Sequence, residues 1–91
     1  MAGSKPKYRP EEFSRRGDAL FESAVKPLIP PGHDDDFVVI DIESGAFEFD
    51  ADERLAADRL EVRKPHAQVW MRKINSPISR HFGISRKAAR P

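Results

Sequence analysis

The sequence predicts an α+β fold with the element order α-β-β-α-β(-β), in which the last strand is optional. Apolar residues recur at helical spacing in two separate segments. Between these segments, two runs rich in β-branched and aromatic residues flank a Ser-Gly turn, and another such run follows the second helical segment. This order predicts a small sheet with the helices packed on one face.

The first helix is predicted to begin at Pro10, because proline suits the first helical position and acidic residues follow it. Pro27 is predicted to end the helix, since proline lacks the backbone N–H that an α-helix needs. Gly17 lies within the apolar face, where we expect it to permit a close contact with another element. The residues of this face are Phe13, Gly17, Leu20, Phe21 and Ala24.

A β-hairpin is predicted from a first strand over residues 37–43 and a returning strand over residues 46–50, with Ser44 and Gly45 in the turn. Side chains alternate between the two faces of a strand. The alternation places three branched aliphatic residues of the first strand on one face and two phenylalanines of the second strand on a common face.

The second helix is predicted to begin either at Asp50, which forms a capping-box pattern with a Glu three residues later, or at Asp52. It is predicted to end near residues 64–65, and strands over residues 67–74 and 78–82 follow. The first of these strands can lie parallel to a hairpin strand, since a helix is a natural crossover connection. The apolar side of the helix consists of Leu55, Ala56, Leu60 and Val62.

The length and composition favour one small domain over residues 10–83. A chain of 91 residues has a thin core, which argues against a stand-alone enzyme. The absence of cysteine excludes thiolate chemistry and favours a reducing cytoplasm. The longest apolar run, residues 37–40, is too short to span a membrane, and no apolar stretch follows the basic N-terminus as it would in a secretory signal. We therefore expect a cytoplasmic protein.

Charge is distributed unevenly along the chain. Residues 1–9 carry three basic residues and are predicted to be disordered, and residues 84–91 are predicted to form a disordered basic tail. Residues 10–62 carry fifteen acidic and five basic residues, whereas residues 63–91 carry eight basic residues and no acidic one. This distribution favours either electrostatic pairing within the molecule or a polyanionic partner for the basic third.

Asp41 and Glu43 look like the first motif of the DEDD-type exonucleases, in which such a pair on a strand binds metal ions. Residues two apart on a strand share a face, so both carboxylates could reach one cation. However, no acidic residue follows Glu61 to complete such a site. The favoured interpretation is a solvated face beside the hairpin turn.

The remaining acidic and histidine residues match no catalytic or metal-binding motif. Residues 33–36 lack the Gly and Glu of a calcium loop, so we predict a solvated acidic loop. His66 and His81 are isolated, and no nucleophile motif supports a triad of Ser79, His81 and Asp41. We therefore expect no catalytic residue, no cofactor and no metal ligand.

Basic and aromatic residues interleave in the C-terminal third, a composition that suits a nucleic-acid backbone or a protein partner. The alternative is that Arg72 and Lys73 neutralise the acidic middle of the same domain, and that Trp70 packs in the core. The candidate contact residues are Arg63, Lys64, Trp70, Arg72, Lys73, Arg80, Arg86 and Lys87.

The chain resembles a group of short bacterial proteins without an assigned activity, which share the central pattern FVxIDxESG, RxPxAxxW and RxFG. In this chain the matching segments begin at Phe37, Arg63 and Arg80, and the resemblance covers about residues 10–83. The resemblance implies a compact ββαβ unit preceded by a helix, of the kind found as a small partner or antitoxin-like protein.

Three functions are consistent with these observations. The favoured one is a small non-catalytic protein-interaction module, in which a sheet edge around residues 69–82 pairs with another chain. Homodimerisation through such an edge is also consistent with the sequence. The alternative is a nucleic-acid-binding accessory protein that uses the basic third. A metal-dependent hydrolase at Asp41 and Glu43 is the least favoured.

Overall fold

The computed structural model describes residues 8–76 and 78–83, and the fold within them is the predicted α+β arrangement. Of the two termini predicted to be disordered, residues 1–9 and 84–91, only residues 8–9 are among the described residues. The optional last strand is present. The elements in chain order are α1 (Pro10–Leu20), β1 (Phe37–Asp41), β2 (Phe47–Asp50), α2 (Glu53–Arg63), β3 (Gln68–Lys73) and β4 (Ser79–Gly83).

The strands form one sheet in the order β2-β1-β3-β4, and every neighbouring pair is antiparallel. The prediction that the strand after the second helix could pair in parallel with a hairpin strand is wrong. Helix α2 carries the chain from β2 past β1, so that β3 runs in the direction of β2 but bonds to β1. As a result β3 is an interior strand, and only β4 of the predicted edge region lies at an edge.

The two helices lie on opposite faces of the sheet, so the prediction of helices on one face is wrong. Val38 and Ile40 pack in a cluster with Phe13 of α1 and with Phe21, which follows α1 in the chain. Val39, which points to the other face, packs in a second cluster with Ala56 and Leu60 of α2. Because β1 is apolar on both faces, each face needs its own cover, a pattern more typical of parallel sheets than of antiparallel ones.

Helix α1 begins at Pro10 as predicted, but it ends as an α-helix at Leu20. One wider π turn (Phe21–Val25) and a short 3-10 turn (Lys26–Leu28) follow, so Pro27 lies in the 3-10 turn. The Lys26 N–H donates to the carbonyl of Phe21, five residues earlier. Val25 is buried and the predicted face residue Ala24 is exposed.

The expected close contact at Gly17 is confirmed. A Cβ atom built on Gly17 would overlap the indole ring of Trp70, so the backbone of α1 rests directly on that ring. Trp70 is fully buried, and Phe21 packs beside it with ring centroids 5.7 Å apart. Helix α1 is therefore held at a distance from the sheet that only glycine permits at this position.

Helix α2 is capped by Asp52, whose carboxylate accepts from the backbone N–H of Arg54 at 2.9 Å. Of the predicted apolar side, only Ala56 and Leu60 are buried. Leu55 and Val62 are 48% and 70% exposed, so the prediction that they share one apolar side with Ala56 and Leu60 is wrong. They lie seven residues apart, about two helical turns, and share the outward side of the helix.

Candidate functional site

The carboxylate of Asp41 accepts hydrogen bonds from the hairpin turn and from β3. It is buried and accepts from the backbone N–H of Gln68 at 3.0 Å, the backbone N–H of Glu43 at 3.2 Å and the Ser44 hydroxyl at 2.7 Å. Glu43 lies beyond the end of β1 and is exposed, and its carboxylate accepts from the Tyr8 hydroxyl at 3.2 Å. The two carboxylates therefore do not share a strand face.

The acidic loop before β1, residues 33–36, is hydrogen-bonded to the turn between β3 and β4. The carbonyl of Asp36 accepts from the N–H of Ile74 at 2.9 Å, and the Asp35 carboxylate accepts from the Asn75 amide at 3.2 Å. His33 Nδ1 lies 2.8 Å from the Asp36 carboxylate. Across residues 8–76 and 78–83, no group of three or more His, Asp or Glu side chains is arranged to hold a metal ion.

The candidate contact residues do not gather into one surface. Arg63 lies on the flank of α2 next to β2, with its guanidinium 2.9 Å from the Glu48 carboxylate. Arg80 lies on β4 and bonds to Glu53 at the start of α2. Both cations are thus paired with acids of the same domain, although the residues predicted for this role were Arg72 and Lys73.

The other candidates are placed as follows. The guanidinium of Arg72 lies 4.3 Å from the ring centre of Phe21 and donates to the carbonyl of Ile74 at 3.0 Å, so it packs against the π turn that follows α1. Trp70 is fully buried and is not accessible to a base or a partner. Lys64 is partly exposed and Lys73 is exposed. Arg86 and Lys87 lie outside the described residues.

The outer edge of β2 can be located from the hydrogen-bond pattern. In an antiparallel pair, the backbone groups of alternate residues point towards the partner strand and away from it. The N–H of Asp41 bonds to the carbonyl of Ala46, so β2 residues two and four positions further along also face β1. The backbone groups of Phe47 and Phe49 therefore point away from the sheet.

Two arginines of α2, Arg59 and Arg63, occupy these outward carbonyls and are called here the arginine pair. Arg63 donates to the carbonyl of Phe47 at 2.7 Å, and Arg59 donates to the carbonyl of Phe49 at 3.0 Å. Arg59 also bonds to the Glu48 carboxylate at 3.1 Å and the Asp50 carboxylate at 3.0 Å. The β2 edge is therefore covered by charged side chains, a common protection of exposed strands.

The outer edge of β4 can be located in the same way. The N–H of Ile42 bonds to the carbonyl of Gln68, so alternate residues of β3 face β1 and the intervening ones face β4. By the register of the β3–β4 pair, the backbone groups of Ser79, His81 and Gly83 point outward.

Arg59 was not among the residues predicted from the sequence, and Arg63 was predicted to contact a nucleic acid or a protein partner. The usable signal was their spacing of four residues, which puts both on one side of a helix, next to a strand with acidic residues at alternate positions. Choosing that strand requires the sheet order, because Arg59 and Arg63 reach carbonyls ten and sixteen residues away along the chain.

The contacts of Asp50 make an acid-dependent stability expected. The pKa of Asp50 lies below its usual value, chiefly because its carboxylate accepts from the Asp52 backbone N–H and then from the Arg59 side chain. A lowered folded-state pKa stabilises the protein above the usual carboxylate pKa, and this contribution is lost as the pH falls through the folded-state value.

We expect Asp50→Asn to lower the melting temperature at neutral pH and to flatten its fall below about pH 4. Melting curves of this variant against pH, with Asp58→Asn as the exposed control, check it, and an unchanged acid slope would contradict it.

Within the described residues, no helix has the length and apolar character to cross a membrane. No protein-family model matches the chain, and neither a curated protein nor a solved structure matches it.

Proposed function

We propose that this chain is a small, non-catalytic protein-interaction module of the bacterial cytoplasm that binds an extended segment of another protein along its β4 edge. The protein would be the small partner of a pair, as its resemblance to antitoxin-like bacterial proteins implies. The partner's segment adds a fifth strand to the sheet of four.

One observation carries the proposal, namely the pattern of outward backbone groups at the two edges. At the β2 edge, both outward carbonyls already accept from the arginine pair. At the β4 edge, the outward backbone groups of Ser79, His81 and Gly83 alternate as a partner strand requires. Backbone hydrogen bonds of this kind supply affinity with little demand on the partner's sequence.

The nucleic-acid alternative receives less support from the described residues. Arg63 and Arg80 are paired with carboxylates, Arg72 stacks on Phe21, and Trp70 is buried. Anisotropy of short DNA and RNA probes at low and physiological salt discriminates the two functions. Binding that falls steeply with salt would favour the alternative.

The proposal is tested by His81→Pro. Proline removes the outward N–H at this position, while the residues that bond to β3 on either side keep their hydrogen bonds. Edge strands tolerate proline, and the extended backbone before it suits Arg80. We expect partner affinity to fall about tenfold or more, as isothermal titration with the captured partner measures.

The matched control is His81→Ala, which keeps the backbone N–H and should retain the affinity. Removal of residues 84–91 should also leave binding intact. A folded His81→Pro protein that binds as well as His81→Ala would overturn the proposal. A truncated protein that loses every partner would do the same.

A further inference from the structure

We propose that the arginine pair keeps the protein from polymerising, by closing the β2 edge against the β4 edge of a second copy. The inference rests on the proposed function in one respect, because it takes β4 as the pairing edge. It goes further in assigning Arg59 and Arg63 the role of blocking a specific wrong partner, which is another molecule of this chain.

The strand directions make the two edges of the molecule compatible. Successive strands across the sheet alternate in direction, because each neighbouring pair is antiparallel. β4 and β2 at the two ends of this series therefore run in opposite directions. Placing the β4 edge of one copy beside the β2 edge of the next continues the antiparallel pattern without turning the molecule over. Such a head-to-tail contact does not close on itself, and it generates open chains.

Charge also favours this contact. Arg80 pairs with Met71 in the sheet register, and Glu48 pairs with Val39. Met71 and Val39 belong to the cluster under α2, so Arg80 and Glu48 project on the same face of the sheet. In the head-to-tail arrangement, Arg80 of one copy lies next to the acidic residues of β2 in the following copy. The contact is complementary once the arginine pair leaves the β2 edge and Arg80 exchanges its own Glu53 for these acids.

The arginine pair blocks this contact in two ways. Its guanidinium groups occupy the carbonyls of Phe47 and Phe49, which an incoming strand needs. They also neutralise Glu48 and Asp50, the residues that would attract Arg80 of another copy. Covered edges with charged side chains are a general defence against edge-to-edge association. Here the defence acts on the edge that would otherwise complete a polymer.

The test is the mass of the double variant Arg59→Ala/Arg63→Ala, measured by light scattering over a wide concentration range. We expect a folded protein whose average mass at least doubles and continues to grow with concentration. The matched control is Arg15→Ala/Arg54→Ala, which removes the same charge from exposed helical positions and should keep the wild-type mass. Arg59→Lys/Arg63→Lys keeps the charge but lacks the planar guanidinium group, which can donate several hydrogen bonds at once. It is the second variant if the alanine variant fails to fold.

Adding His81→Pro to the Arg59→Ala/Arg63→Ala variant separates this inference from the proposed function. If β4 is the pairing edge, the proline stops chain growth and leaves at most a dimer formed by two β2 edges. A mass increase that the proline leaves unchanged would show that the arginine pair covers an association edge, but it would contradict pairing through β4, which both this inference and the proposed function assume. Wild-type mass in a folded variant that lacks the arginine pair overturns the inference.

Discussion

Gly17→Ala is expected to destabilise the protein by about 2–3 kcal/mol, although the same change at an open position inside a helix stabilises by up to about 1 kcal/mol. The sign reverses because the added methyl group would overlap the Trp70 indole. Trp70 is fully buried on a central strand and cannot move aside. For a domain of this size, the melting temperature should fall by roughly 10–20 °C.

Thermal and denaturant unfolding of Gly17→Ala measure this effect, with the exposed neighbour Asp18→Ala as the control on the same helix. The cause is isolated by a double-mutant cycle with Trp70→Leu. The alanine should cost much less beside the smaller side chain, so the two changes should be strongly non-additive. A Gly17→Ala protein as stable as the wild type would show that α1 does not rest on Trp70.

Asp41→Ala is expected to have a comparable effect, a loss of about 3 kcal/mol in the free energy of unfolding. The buried carboxylate accepts from Gln68, Glu43 and Ser44, and alanine leaves these donors without it. Asp41→Asn retains one acceptor oxygen and should cost less. Chemical denaturation of both variants, with exposed Asp58→Ala as the control, gives the comparison.

The sign of the Asp41 effect also separates two roles for this residue. A carboxylate that ties a turn stabilises the protein, so its removal destabilises it. A carboxylate held ready for a cation, as in the exonuclease-like motif, repels its neighbours, and its removal would be neutral or stabilising. We expect the destabilising result, together with no heat on titration of the wild type with magnesium, manganese or calcium. A stabilised Asp41→Ala protein that has lost a magnesium-binding heat would contradict our account.

Local chemistry made much of the fold predictable. Pro10, Asp52 and the Ser44–Gly45 turn act through their nearest neighbours in the chain, and each has the predicted role. Gly17 was predictable as a contact point because a glycine in an apolar helical face costs stability unless something packs there. Its partner Trp70 was not predictable, since that pairing depends on the tertiary arrangement.

The errors arose where tertiary structure decides. The run of apolar residues in β1 fits a strand buried on both faces as well as one buried on one face, so the helices were assigned to the wrong sides. The π turn at Phe21–Val25 has no sequence marker, and it shifted the end of the helix. The arginine pair was missed because its targets are backbone carbonyls of a strand whose edge position follows only from the sheet order.

The most direct test of the central claim is amide hydrogen exchange, measured by NMR with and without the protein partner. That partner is the one that the His81→Ala protein still binds and the His81→Pro protein does not. We expect the outward amides of Ser79, His81 and Gly83 to exchange quickly in the isolated protein and to become protected in the complex. The amides of Phe47 and Phe49 should change little, because the β2 edge takes no part. Protection confined to α2 or to residues 84–91, with the three β4 amides unchanged, would contradict the β4 edge as the binding site.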